Sequence, residues 1–257
     1  MVFQPIVQKR TAESVVERFR LLILDGVLRP GDRLPAERQL ALDLDVSRPI
    51  LRDALAQLEA DGLIVARHGE GTFIADLIGD VFSAPIAKLL RASPQGMADY
   101  LEFRRLLESD MAAMAAERAT QSDRDMLKAL GEAMQHAHEN GDAEREAQLD
   151  VELHTLVVES AHNLVFLHVL RACYRLLADD VFDNRKRLYG QPGERKTLLD
   201  QHLALIKAII AGNAEAARRA SQAHIDHVSL ASQHLTAADA REETSKLRRT
   251  IRLANAG

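Results

Sequence analysis

Tryptophan is absent and aromatic residues make up only 4% of the chain. That leaves little material for the base-stacking platforms of single-strand and RNA binders, but it does not exclude duplex DNA. The one cysteine, Cys173, cannot pair within the chain. It falls in the apolar pattern Leu170, Cys173, Leu176, Leu177, which suits a core helix in a reducing compartment. Long apolar runs are also missing: no segment approaches the ~20 residues of a membrane span, and MVFQPIVQKR lacks the features of a signal peptide. A cytoplasmic protein with no membrane partner is expected. Nor is there a surplus of positive charge. With 33 Lys and Arg against 38 Asp and Glu, the net charge is −5, so any DNA contact must come from a local basic patch.

What is present is an ordinary globular composition, 47% hydrophobic and 28% charged over 257 residues, long enough for two cores. From Ala12 to Asp25 the residues Val15, Val16, Phe19, Leu22 and Ile23 recur at helical spacing, and Gly26 stands where a left-handed cap is wanted. After a turn at Leu28–Asp32, Pro35 is read as opening a short helix with Leu40, Ala41 and Leu44 inward, ending near Asp45. Ser47 is an N-cap for a third helix, with Pro49 in its first turn, a stripe of Leu51, Ala54, Leu55 and Leu58, and Gly62 at its close. Two strand-like runs, Leu63–Ala66 and Thr72–Ala75, flank a glycine-containing hairpin. Three helices and a two-stranded wing predict a winged helix-turn-helix over residues 1–76.

Gly79, Pro85, Ser93, Pro94 and Gly96 mark a linker over 77–98, with a short helical stretch near Ile86–Leu90. Beyond it the pattern is helical: Asp99–Ala119, Ser122–Asn140, Asp142–His162, Asn163–Tyr189, Glu194–Ala211 and Ala214–Leu235. The expected fold class is therefore mainly α, an N-terminal winged helix-turn-helix followed by an all-helical bundle over 99–236. Residues 237–257, rich in Arg241, Lys246, Arg248, Arg249 and Arg252, read as a charged, solvated tail.

In a helix-turn-helix the N-terminus of the second motif helix meets the major groove, which here presents Ser47, Arg48, Ile50 and Arg52. An arginine fork can grip guanine O6 and N7 together, and a helix N-terminus with a serine hydroxyl favours phosphate. Arg48 is the first choice for base reading and Arg52 the second. Arg38, on the preceding helix, would face the backbone, while the wing tip His68-Gly69 is small enough for the minor groove, helped by Arg67. Any one of these arginines alone would pass for an ordinary surface residue.

Together they carry more. Leu34-Pro-Ala-Glu-Arg38, Val46-Ser-Arg-Pro-Ile-Leu-Arg-Asp-Ala-Leu55, Leu58-Glu-Ala-Asp-Gly-Leu63 and Arg67-His-Gly-Glu-Gly-Thr-Phe73 resemble the GntR-type regulator signature. The helical remainder resembles the FCD ligand-sensing domain of the FadR-like branch, most of all that of pyruvate and lactate regulators. The resemblance implies that Arg38, Arg48, Arg52, His68 and Gly69 touch operator DNA, with Ser47 and Ile50 secondary, and that a homodimer reads a pseudo-palindromic operator.

Asp150 and His154 sit one helical turn apart on one face, a spacing that suits two ligands of one metal but more often makes a simple hydrogen bond. His202 and His224 lie on later helices among apolar residues, where a buried histidine needs a partner. His227, one turn beyond His224, is its rival. The resemblance implies a divalent metal held by an aspartate, a histidine four later and one histidine from each of two later helices, which selects Asp150, His154, His202 and His224. Three nitrogens and an oxygen suit zinc, with nickel or manganese as alternatives. By the same resemblance Arg104 and Asn163 would bind the effector, beside the plainer readings of an ion pair and a helix cap. The expected function is a metabolite-responsive transcription repressor sensing lactate, glycolate or pyruvate, and not an enzyme. Retained metal ligands favour a chelating acid such as lactate or glycolate. A purely structural metal, or metal as the signal, stays open. The alternative from another class is a metal-dependent hydrolase, which lacks the glutamate base of His-Glu-x-x-His enzymes and gives the winged unit no purpose.

Overall fold

Thr11 starts the first helix, α1 (Ala12–Leu24), through a reciprocal capping box with Ser14. Gly26 follows at φ +69°, a left-handed value that glycine reaches without a Cβ penalty, and its N–H donates to the Ile23 carbonyl. The computed structural model describes residues 11–77, 88, 93–176, 187–191 and 193–254. It divides into two compact units, Met1–Val81 with Leu167–Ala172, and Phe82–Phe166 with Cys173–Gly257.

In the first unit α2 spans Glu37–Asp43 and α3 spans Arg48–Ala60. Pro35 does not open α2, as the sequence suggested; it precedes the cap residue Ala36. The reason lies upstream. Residues 31–34, of which Gly31 and Asp32 were read as the end of a turn, run along the second wing strand: Gly31 N–H donates to Ile74 O, Leu34 N–H to Thr72 O, and Ile74 N–H to Asp32 O. The wing itself pairs β1 (Ile64–Arg67) with β2 (Gly71–Ile74) antiparallel, Ile64 opposite Ile74 and Arg67 opposite Gly71. Gly69 holds the tip at φ +76°, a left-handed value that a hairpin turn requires and glycine reaches without strain. Val16, Phe19, Leu51, Ala54, Leu58 and Ile74 form the centre of the core, with Leu44 and Leu55 half-buried at its edge. Truncating a residue such as Leu58 to alanine would cost about 2–5 kcal/mol.

Beyond the wing the described elements are all helices: α4 (Pro94–Arg118), α5 (Gln121–Glu139), α6 (Ala143–Ser160), α7 (Leu164–Leu176), α8 (Glu194–Ile210) and α9 (Ala214–Ala254), all of the second unit except the Leu167–Ala172 stretch of α7, which groups with the first. α4 begins inside the segment read as linker. Ser93 accepts the Gly96 N–H at 3.2 Å and Pro94 occupies the first turn, a start signal that the surrounding Gly and Pro masked. The expected stretch near Ile86–Leu90 falls outside the described residues apart from Lys88. At the other end the charged stretch is solvent-exposed as expected, but it is helical rather than frayed: α9 continues to Ala254, with an exposed i,i+4 pair between Glu242 and Lys246 on the added turns. α9 packs along α4 and α8, α6 lies on α4 and α5, and α8 on α5. α4, α6, α8 and α9 therefore surround one interior region. Among the described residues no helix is long and apolar enough to cross a membrane.

Candidate metal centre and DNA-contact face

Each of three packed helices turns part of a four-donor cluster inward. α6 supplies Asp150 and His154, α8 supplies His202 and α9 supplies His224, and all four side chains are buried. One ligand atom from each lies within 4.8 Å of all the others. His202 Nε2 is 3.0 Å from Asp150 Oδ1 and 3.3 Å from His224 Nε2, and His154 Nε2 is 3.8 Å from Asp150 Oδ1. The rival, His227, points elsewhere: its Nε2 is 2.6 Å from Glu194 Oε2 and the side chain is partly exposed.

The donor set fits a divalent cation. Burial lowers the pKa of His154, and burial together with the neighbouring His202 and His154 holds that of His224 well below the ordinary range. Neutral imidazoles, the ligating form, are thus favoured. His154 Nε2 is buried and has no hydrogen-bond partner among the described residues, a cost that a cation in the cluster would remove. Three nitrogens and a carboxylate oxygen are the donors of borderline metals such as zinc.

Arg104 lies beside the cluster, buried against Glu108 on its own helix, with Nε 2.5 Å from Oε1 and Nη2 3.4 Å from Oε2. Burial alone would raise the Glu108 carboxyl, but the Arg104 guanidinium and His154 hold it well below the usual carboxylate range. Tyr100 and Tyr174 flank the guanidinium, each ring centre 5.9 Å away. Arg104, Asp150, His154 and His224 line one cavity with Met97, Tyr100, Leu101, Leu188, Tyr189, Leu198 and Val228. Its free volume is about 20 Å³, room for a water-sized group. Asn163 is not part of this lining. Its side chain accepts the Phe166 N–H at 3.2 Å, capping the start of α7.

In the winged unit Arg38, Ser47, Arg48, Arg52, His68 and Gly69 are all exposed. Ile50 is half-buried against the core, so packing takes most of its surface. The Ser47 hydroxyl accepts the Ile50 N–H at 3.5 Å and keeps its own O–H to donate. Arg52 forms an exposed pair with Glu37 at 3.1 Å. Arg67 lies over the Phe73 ring, 4.6 Å from its centre, and braces the wing.

Sequence reasoning missed Glu108, Gln201 and the two tyrosines. Glu108 left one trace, an i,i+4 spacing from Arg104. Gln201, whose Oε1 lies 3.0 Å from His224 Nδ1, left none.

A family model described as bacterial regulatory proteins, gntR family, matches residues 11–74, and the FCD domain model matches residues 99–227. An Escherichia coli K12 protein named for regulation of the L-lactate dehydrogenase operon is 37% identical over 228 residues, 87% of this chain and 86% of its own. The Glc operon transcriptional activator of the same strain is 32% identical over 216 residues, covering 83% and 85%. The HTH-type transcriptional regulator LutR of Bacillus subtilis 168 is 30% identical over 212 residues, covering 80% and 94%.

Proposed function

The chain belongs to the gntR family of bacterial regulatory proteins and carries an FCD domain, and from that premise we propose that it represses transcription until a small hydroxy or keto acid reaches its buried metal centre. The family's members are transcription regulators, not enzymes, and the hydrolase alternative falls with that. The helix-turn-helix implies operator DNA as one partner and the FCD domain a small-molecule effector as the other.

The observation that carries the proposal is a cluster of four buried donors, Asp150, His154, His202 and His224, of which Asp150, His154 and His224 line one small cavity together with the cationic Arg104. When bound, zinc, or nickel or manganese in its place, supplies a Lewis-acid position for a carboxylate and an adjacent hydroxyl or keto oxygen. The guanidinium edge of Arg104 not turned to Glu108 attracts the same carboxylate. The aromatic and aliphatic lining restricts the ligand to a short carbon chain. Lactate and glycolate fit that chemistry, and pyruvate fits it with a keto oxygen; the name of the first relative points the same way. Because the free volume is only about 20 Å³, an entering acid must displace side chains, and that displacement is the mechanical input to the switch.

On the DNA side, Arg48 is assigned to a base edge, Arg38 and Arg52 to flanking positions, Ser47 to phosphate, and His68 and Gly69 to the minor groove. Two copies related by a two-fold axis would read a pseudo-palindrome, so a rigid-body shift between them changes the match to half-site spacing. The test is binding of the purified, zinc-loaded protein to its own upstream promoter fragment at fixed salt, with lactate, glycolate, pyruvate and acetate compared. Specific binding weakened by one chelating acid and not by acetate is the expected result. Affinity equal to that for random DNA, or indifference to every acid with each of the three metals, would overturn the proposal.

A further inference from the structure

An imidazole has two ring nitrogens and, when neutral, one proton, so the group that holds one nitrogen decides which electron pair the other presents. His154 Nδ1 lies 2.7 Å from Glu108 Oε2. Glu108 is buried and fixed from its other side by Arg104, and a carboxylate in that position only accepts. Nδ1 therefore donates, and the Nε2 lone pair faces Asp150. His224 is held in the same sense: its Nδ1 donates to the Gln201 amide oxygen at 3.0 Å, leaving the Nε2 lone pair toward His202. His202 has no such support among the described residues, since its Nδ1 is buried with no hydrogen-bond partner. Two of the three histidines are thus set from behind, one by a charged group and one by a neutral amide.

We infer that Glu108 and Gln201 are positioning residues that fix His154 and His224 in the Nδ1–H tautomer before any metal arrives, with Arg104 holding Glu108 in place. This rests on reading the cluster as a metal site, and it adds Glu108 and Gln201 to that site's machinery. In the proposal Arg104 has a role that does not depend on an effector. The tautomer choice removes a rearrangement from metal binding, so its loss appears as weaker metal affinity.

The test uses the full-length protein, first metal-free, by nitrogen-15 NMR of the histidine rings, and then titrated with Zn²⁺ against a competing chelator. Wild type should show His154 and His224 in the Nδ1–H form. In Glu108→Gln the amide can offer His154 either a donor or an acceptor, so a tautomer mixture is expected, with Zn²⁺ affinity lowered about 10- to 100-fold. Gln201→Leu should release only His224 and weaken Zn²⁺ by about tenfold. Because Glu108→Gln leaves a buried arginine uncompensated, the double change Arg104→Met/Glu108→Leu serves as its folded control, and it should give the same loss for His154. Thermal melts establish folding in each case. Unchanged tautomers, or Zn²⁺ affinities within twofold of wild type in the folded variants, would overturn the inference. Failure of the wild type to bind Zn²⁺, Ni²⁺ or Mn²⁺ would instead overturn the metal reading, and the metal-free spectra would still decide the tautomer claim.

Discussion

Arg52 and Arg104 both lie against a glutamate, at 3.1 Å from Glu37 and 2.5 Å from Glu108, yet their surroundings are opposite. The first pair has 72% and 49% of its side-chain surface exposed, the second 4% and 4%. An exposed pair contributes little, so Arg52 can exchange Glu37 for a phosphate or a base at small cost. A buried pair cannot be opened without stranding a charge, so Arg104 and Glu108 act as one unit. The winged unit's candidate contact residues are exposed and at most weakly paired, whereas the helical unit locks its own together. The same residue types therefore suit recognition in the proposed DNA contact and positioning in the proposed metal centre, because desolvation, not identity, sets what each interaction is worth.

The sharpest way to break this comparison is to remove one cation from each pair. Arg104→Met should lower stability by about 3–5 kcal/mol in urea denaturation, and Arg52→Met by no more than about 1 kcal/mol; equal losses would erase the distinction. Next in size is metal. Free Zn²⁺ at a hundredfold excess over its dissociation constant should stabilise the helical unit by roughly 2.7 kcal/mol, and a chelator should reverse that without touching the winged unit's transition. Arg48→Ala should cost about 1–3 kcal/mol of specific operator binding while leaving the melting curve in place. A shifted melt would mean that Arg48 is structural.

The smallest effect concerns pH. Burial works to raise the Asp123 carboxyl, but hydrogen bonds from Thr120 and His162 outweigh it and hold the pKa below the ordinary value. A depressed carboxylate contributes stability above its unfolded pKa of about 3.9 and loses it as pH falls through the folded value. Asp123→Asn should therefore cost roughly 1 kcal/mol at pH 7 through the α5 capping box, and the gap to wild type should narrow steadily in melts as the pH is taken below about 3.9. A gap that stays constant over that range would assign the cost to packing.

The helices were legible where periodicity and caps agreed, as with Ser47 before α3 and the stripe from Leu51 to Leu58. They were missed where start signals sit among breakers, as at Ser93-Pro94, or where a rightly exposed charged stretch was read as frayed rather than helical, as on α9 past Leu235. Asp150 and His154 could be read together because one helix sets their spacing. The other two ligands came by resemblance, because only packing brings α8 and α9 beside α6. Gln201 was invisible: a glutamine carries no pattern, and its role exists only because His224 folds against it. Residues 31–34 escaped for a similar reason, since their hydrogen bonds go to a strand some forty residues later and leave no local trace.

The central claim is that the buried cluster controls the exposed face. It is tested most directly by the operator-fragment affinity of zinc-loaded wild type and of His202→Gln, each with and without L-lactate or glycolate. The account predicts that both proteins bind the fragment in the absence of acid and that only the wild type releases it when acid is added. Equal release by His202→Gln would contradict it, because the response would then not pass through the metal centre.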